Sequence, residues 1–413
     1  MKTKIMNNIM AKSLILGLMV CLGFYACEQY PDEFEKSGGS PEVSYIRTPD
    51  IASADSLLDA GYLNNSICIV GKNLKSVHKI FFNDQEAILN TSFITENTLI
   101  VTIPKGIPED VTNKMYLHNY AGDIVEYPFK VKVPAPIVAS MVCEYVADGD
   151  VAVIKGDYLI DDPNVPMTIT MNGNIPVTEI TPIDRYSVQF VVPEGAQGGY
   201  INVSTIYGTS RSKFQFRDER GIILDWDNLD ASGGWRSGVL EESEESISGK
   251  YVALSGPELL GDLNDFTEDN YSFNLWGTAN GRPEGDLFDA SNLSALQMKF
   301  EVNVRTPWSA NAMQIIFTPW SVTGTNSYIA AEDQARALWI PWLNNGGSYQ
   351  TDGWVTVSIP MNSFKYDRAG NQLDLPGMGN YGGLTMFVYH GGVLGTPCSP
   401  VIWIDNIRVV PVE

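Results

Sequence analysis

From residue 217 onward, apolar and polar side chains alternate in short runs, the period of a strand with one face against a core. Leu296–Val304 is the cleanest of these, reading Leu-Gln-Met-Lys-Phe-Glu-Val-Asn-Val. Tyr271–Trp276, Met313–Phe317, Val355–Ile359, Leu384–Val388 and Val401–Val410 are further strands. No long stretch carries a helical period. Such a pattern predicts one larger β-sandwich of jelly-roll type over residues 217–413.

Upstream, a second pattern occurs twice. Ile67-Cys68-Ile69-Val70-Gly71-Lys72-Asn73-Leu74 is answered by Val151-Ala152-Val153-Ile154-Lys155-Gly156-Asp157-Tyr158-Leu159. Each is followed by a strand ending in proline, Leu99–Pro104 or Val188–Pro193, and then by a strand running to glycine, Met115–Gly122 or Tyr200–Gly208. Gly71 and Gly156, like Phe129 and Phe214, stand 85 residues apart. A repeat of that length, built of short strands, predicts two immunoglobulin-like sandwiches in tandem, over residues 41–133 and 134–216. Two prolines in Val133-Pro134-Ala135-Pro136 predict a semi-rigid joint between them. The fold class is therefore all-β: two immunoglobulin-like domains, then a larger sandwich. The repeated segments resemble the IPT/TIG family, with its I-x-G-x-x-L and V-x-V-P strands. That resemblance implies spacers, whose role is reach.

Composition narrows the function. Hydrophobic residues at 44% and charged residues at 18% describe an ordered chain. A net charge of −22 opposes nucleic-acid binding, which needs a basic footprint. A neutral ligand meets no such barrier. At the N-terminus, Lys2, Lys4 and Lys12 precede an apolar run from Ser13 to Ala26, shorter than the ~20 residues of a membrane span and of the kind found in signal peptides. Phe24-Tyr25-Ala26-Cys27 resembles a bacterial lipobox, which implies a signal peptide over 1–26 and lipidation of Cys27. Phe24 and Tyr25 are bulkier than the usual pattern, and Cys21, after Val20, is the weaker alternative. Glu28–Glu35 is acidic and looks like the surface-export signal of lipoproteins in polysaccharide-foraging bacteria, with a tether over 27–40. Cys68, Cys143 and Cys398 fall in different predicted domains, so no intradomain disulfide is available.

All nine tryptophans lie between Trp226 and Trp403. Strand phase sorts them into core and surface. Trp276 shares its phase with Ser272 and Asn274, opposite Tyr271, Phe273 and Leu275, and so projects on the polar side. Trp320 follows Gln314 and Thr318, opposite Met313, Ile315 and Phe317, although Pro319 interrupts the strand. Trp308 occupies a loop, either as a plug over the core or as a platform. Trp403, Trp354 and Trp226 read as structural. One of Trp339 and Trp342, which flank Pro341, belongs to the core, and Trp235 sits in a turn-rich edge. An exposed indole is a flat, rigid partner for the C–H face of a pyranose, and neighbouring polar groups set which sugar fits. The expected glycan-binding set is Trp276, Trp308 and Trp320 with Asn274, Gln314 and Arg305.

The parts in this order resemble a surface glycan-binding protein, of the xyloglucan-binding type found with starch-utilisation-like transporters. Asn274-Leu275-Trp276-Gly277, Pro307-Trp308-Ser309, Gly353–Pro360 and Ile404–Val409 carry the likeness in the C-terminal half. The resemblance implies a non-catalytic outer-membrane lipoprotein, facing outward, that captures a plant-type β-glycan and passes it to a TonB-dependent importer, with no cofactor. Xyloglucan, mixed-linkage β-glucan and mannan remain open. The alternatives are a glycoside hydrolase and a protein adhesin using the same sandwich. A hydrolase needs two carboxylates across a cleft, and the densest acidic run, Glu241–Glu245, reads as a solvated loop. Asp225, Asp227 and Asp230 are oxygen ligands of the type calcium takes, but surface acids are common and no metal is expected. His78, His118 and His390 are scattered, without a catalytic neighbour.

Overall fold

The computed structural model describes residues 36–229, 238–263, 271–277, 282–322, 335–373 and 381–412. Cys27 with its leader and acidic tail, and Trp235, lie outside them. The described residues form strands joined by turns and 3-10 segments of three or four residues. The chain separates into two compact units, one ending at Val133 and the other beginning at Pro134.

In the first unit, Glu42–Arg47, Ser66–Lys72 and Thr98–Thr102 form one sheet. Gln85–Ala87, Val77–Phe82, Lys114–Asn119 and Ile124–Pro128 form its partner, and a short parallel pair joins Ala60–Tyr62 to Lys130–Lys132. The second repeat starts in the same way. Ile137–Met141 pairs with Val151–Asp157, as Glu42–Arg47 pairs with Ser66–Lys72. Each first strand carries a bulge, at Val43/Tyr45 and at Val138/Ser140, which drives a carbonyl against the facing glycine. A Cβ at Gly71 would lie 1.8 Å from the Glu42 carbonyl oxygen, and one at Gly156 1.7 Å from that of Ile137. Two residues on, Asn73 and Tyr158 both have φ of +55°. The 85-residue spacing thus marks one backbone manoeuvre made twice, and only glycine admits it.

The C-terminal sandwich packs two sheets face to face. The larger runs Val239–Glu241, Tyr251–Leu254, Ile402–Pro411, Leu296–Val304 and Val355–Pro360, with Ile222–Leu224 also pairing to Ile402–Pro411. The smaller runs Ser272–Leu275, Gly383–Tyr389, Ala312–Thr318 and Ala337–Trp339. Met298, Phe300 and Val302 from one sheet meet Phe273, Leu275, Ile315 and Met386 from the other in a single core.

The larger sheet's outer face is held to the second repeat by a buried ion network. The Arg408 guanidinium donates to both carboxylate oxygens of Glu301, at 2.7 and 3.0 Å, and to Glu144 of the repeat at 2.8 Å. Lys299 completes the set at 2.5 Å from the other oxygen of Glu144. Burial works against the Arg408 charge, but the two carboxylates outweigh it and hold the guanidinium above its ordinary pKa. Thr356 adds a backbone bond to Val142 and accepts one from the Glu144 amide.

Candidate functional site

The smaller sheet has an unusual outer face. Its inward positions are apolar, as a sandwich requires, and include Leu384, Met386, Val388, Met313 and Phe317. Outward, cross-strand register sets Ser272 beside Phe387 and Gln314, and Asn274 beside Thr385 and Ile316. Thr318 faces Gly383. Ile316, Phe387 and Tyr389 make a small apolar cluster there. None of these outward positions is an Asp or Glu.

One end of this face is closed by the protein itself. The Gln314 amide donates to the carbonyls of Arg368 and His390, 54 and 76 residues later, and its oxygen accepts from Arg336 at 2.7 Å. Gly370 and Gly392 let the two covering segments touch: a Cβ at Gly392 would lie 2.1 Å from the Ala369 carbonyl oxygen. Gln314 therefore anchors loops, and its expected sugar contact is withdrawn because both ends of its amide are taken.

The other end is different. Trp276 follows the edge strand Ser272–Leu275 and is half-buried. Trp320 is half-buried too, with its backbone wedged among glycines: a Cβ at Gly277 would meet the Trp320 carbonyl oxygen at 2.2 Å, and one at Gly382 its Cα at 2.5 Å. The Arg282 guanidinium lies over the Trp320 ring, 5.1 Å from its centroid, and donates to the Gly382 carbonyl. Burial lowers the pKa of Arg282 from its ordinary value.

Near these rings, Trp276 Nε1, Asn274 Nδ2, Thr318 Oγ1 and Arg282 Nη1 are buried without a hydrogen-bond partner among the described residues, as is Ser272 Oγ further along the face, beside Phe387. Asn274 has only its oxygen engaged, accepting from the Thr385 hydroxyl at 3.0 Å. Leaving one such group unsatisfied costs about 1–3 kcal/mol. A fold that collects them in one place is suited to a ligand rich in hydroxyls, which both donate and accept. Two indoles supply the flat apolar surface, and four uncommitted polar atoms lie at the same end of the sheet. The connections flanking this sheet run through residues 264–270, 278–281, 323–334 and 374–380, outside the described residues.

Trp308 and Arg305 do not belong to this group. Trp308 is fully buried, exchanges backbone hydrogen bonds with Tyr349, and has its indole N–H on the Ala310 carbonyl. It plugs the sandwich end, with its ring 5.4 Å from Trp339, so its expected platform role is corrected to packing. Arg305 stands on the opposite sheet, stacked over Trp403 at 4.5 Å and bridged to Glu245 at 3.0 Å. Trp403, Tyr251 and Trp354 pack together beneath it. Trp226 is in the core and Trp342 is buried, whereas Trp339 is half-buried. Arg282 escaped sequence reading because it follows a turn-rich stretch with no strand phase. Asp225 and Asp227 serve turns: Asp225 accepts from the amides of Asp227 and Asn228, and Asp227 from that of Lys250. Asp230 lies outside the described residues.

Residues 216–411 match the family model of the surface glycan-binding protein B xyloglucan binding domain. The crystal structure of the surface glycan-binding protein PbSGBP-B from Prevotella bryantii is 34% identical. It matches over 91% of this chain and 100% of its own, with a TM-score of 0.78. The chain belongs to the surface glycan-binding protein B family. A Bacteroides ovatus relative described as an IPT/TIG domain-containing protein is 28% identical over 96% of this chain and 97% of its own. For this family member, the Trp276–Trp320–Arg282 end of the smaller sheet is the candidate glycan site.

Proposed function

We propose that this protein is a non-catalytic, polysaccharide-binding lipoprotein of the cell surface. It is anchored to the outer membrane through Cys27 and supplies glycan to a TonB-dependent importer. The observation that carries the reading is the cluster of uncommitted buried polar atoms beside Trp276 and Trp320. A carboxylate-free outer sheet face supports binding without hydrolysis, because glycosidic cleavage needs paired acids. The ligand class is a plant β-glycan: xyloglucan first, in line with the matched domain model, then mixed-linkage β-glucan and mannan.

An affinity gel of the purified protein against xyloglucan, mixed-linkage β-glucan, mannan, xylan and starch tests this directly. Retardation by xyloglucan, or by one of the other two β-glycans, is expected, with no reducing ends released on prolonged incubation. Retardation by none of the five, or sustained release of reducing ends, would overturn the reading.

A further inference from the structure

The second repeat and the C-terminal sandwich enclose a cleft of about 610 Å³. It runs along the edge strand Val355–Pro360, away from the smaller sheet's outer face. On the sandwich side its wall includes Trp339 and Tyr349, both half-buried, with Gln297. On the repeat side it includes Ser140, Lys155 and Lys213, all exposed. Ser140 and Lys155 are cross-strand partners, so they present one polar edge.

Three properties distinguish this cleft from a packing defect. Its volume falls within the roughly 300–1,000 Å³ of small-ligand sites, which favour domain junctions. Its shape is fixed beforehand, because the Glu144–Arg408–Glu301–Lys299 network and the Thr356 bonds tie the two walls together beside it. Its charge is also distinctive. Within the network two carboxylates balance two cations, which leaves Lys155 and Lys213 uncompensated there in a chain of net charge −22. Among the described residues neither lysine has an ion-pair partner. Two aromatic side chains facing two free ammonium groups is a combination suited to a sugar that carries a carboxylate.

We propose that this interdomain cleft is a second carbohydrate site, selective for an acidic sugar unit of the hexuronate class. Trp339 and Tyr349 receive the ring, and Lys155 and Lys213 pair with the carboxylate. The site is separate from the Trp276–Trp320 end and does not depend on what binds there.

Calorimetry of the full chain with trigalacturonate and with cellotriose decides the matter. Trigalacturonate should bind at millimolar or lower concentration and weaken as salt is raised. The double variant Lys155→Ala/Lys213→Ala changes only exposed side chains, and should lower that affinity by about tenfold or more. Tyr349→Ala, made separately, should weaken it as well. Cellotriose, which carries no charge and belongs to the Trp276–Trp320 end, should bind the double variant as it binds wild type. Absence of trigalacturonate binding, equal trigalacturonate binding by the double variant, or an equal loss of cellotriose binding in it would each overturn the proposal.

Discussion

The two outer faces of the C-terminal sandwich are both polar and both buried, yet they are built on opposite terms. On the larger sheet, Lys299, Glu301 and Arg408 are charged and bond to one another, to Glu144, to Thr356 and to the Asn406 carbonyl, with Arg408 Nε alone of their polar atoms left without a partner among the described residues. On the smaller sheet, the outward residues are neutral, and several of them and their neighbours have polar atoms without partners among the described residues. Alternation along the strands looks the same in either case. What separates structural polarity from binding polarity is satisfaction: a closed network fixes domains, whereas an open one waits for a ligand.

The largest effect should come from opening the closed face. Arg408→Met leaves Glu301 and Glu144 buried with one cation between them, and breaking a buried pair in this way costs about 3–5 kcal/mol. Urea unfolding should show that loss, while glycan affinity per folded molecule stays within about twofold of wild type. A stability change under ~1 kcal/mol would mean that the network is not the joint described here. The converse change falls on the open face. Trp276→Ala should weaken β-glycan binding by about 10–100-fold, or ~1.4–2.7 kcal/mol, and leave the urea midpoint nearly unmoved. Normal affinity in calorimetry would remove the smaller sheet's end from the glycan site.

Sequence phase reached the smaller sheet because its strands run without bulges between Ser272 and Leu275 and between Ala312 and Thr318. There, alternate residues do lie on alternate faces up to Leu275, and Trp276 follows directly, half-buried. The same rule fails along Ile402–Pro411. A register shift opposite Lys299/Glu301, with Asn406 at φ +50°, resets the alternation and turns both Asp405 and Arg408 outward. Strict alternation would put Asp405 and Arg408, three residues apart, on opposite faces, so the ion network could not be read there. Glu144, Glu301 and Arg408 are also too far apart in sequence for any local signal to join them. Gln314 failed for a related reason. Its strand phase is outward, but the carbonyls that occupy its amide arrive from distant loops. The repeat was legible because a glycine under a bulge is a residue type with a geometric cause.

Asp405 sharpens the comparison, since it is the acid of the closed face with no cation on its carboxylate. Burial pushes its carboxyl up to about 8, against hydrogen bonds from the Asn406 amide and the Ser248 hydroxyl. An unfolded aspartate titrates near ~3.9. The folded state therefore keeps a proton that the unfolded chain has released. The resulting stabilisation is full below about pH 4 and disappears as pH rises through about 8. Asp405→Asn should flatten that decline. At pH above 8 it should raise stability in thermal or urea unfolding, because the neutral amide escapes the desolvation that the ionised carboxylate meets. An unchanged pH profile would show that Asp405 is ionised and solvated in the folded protein.

The smallest change is the most discriminating. Thr318→Val keeps the shape of a side chain whose hydroxyl is buried without a partner on the open face. If that hydroxyl serves only the fold, removing it relieves an unsatisfied group, so stability rises by a few tenths to about 1 kcal/mol and glycan affinity holds. If it meets a sugar hydroxyl, the same stability gain comes with a roughly 3–10-fold loss of β-glycan affinity, since a hydrogen bond contributes about 0.5–1.5 kcal/mol. The coupled outcome, a more stable protein that binds less well, is expected. It would show that the open face holds its polar groups unpaired for the ligand, at the expense of the fold. A loss of stability would instead mean that Thr318 Oγ1 has a partner in the folded chain.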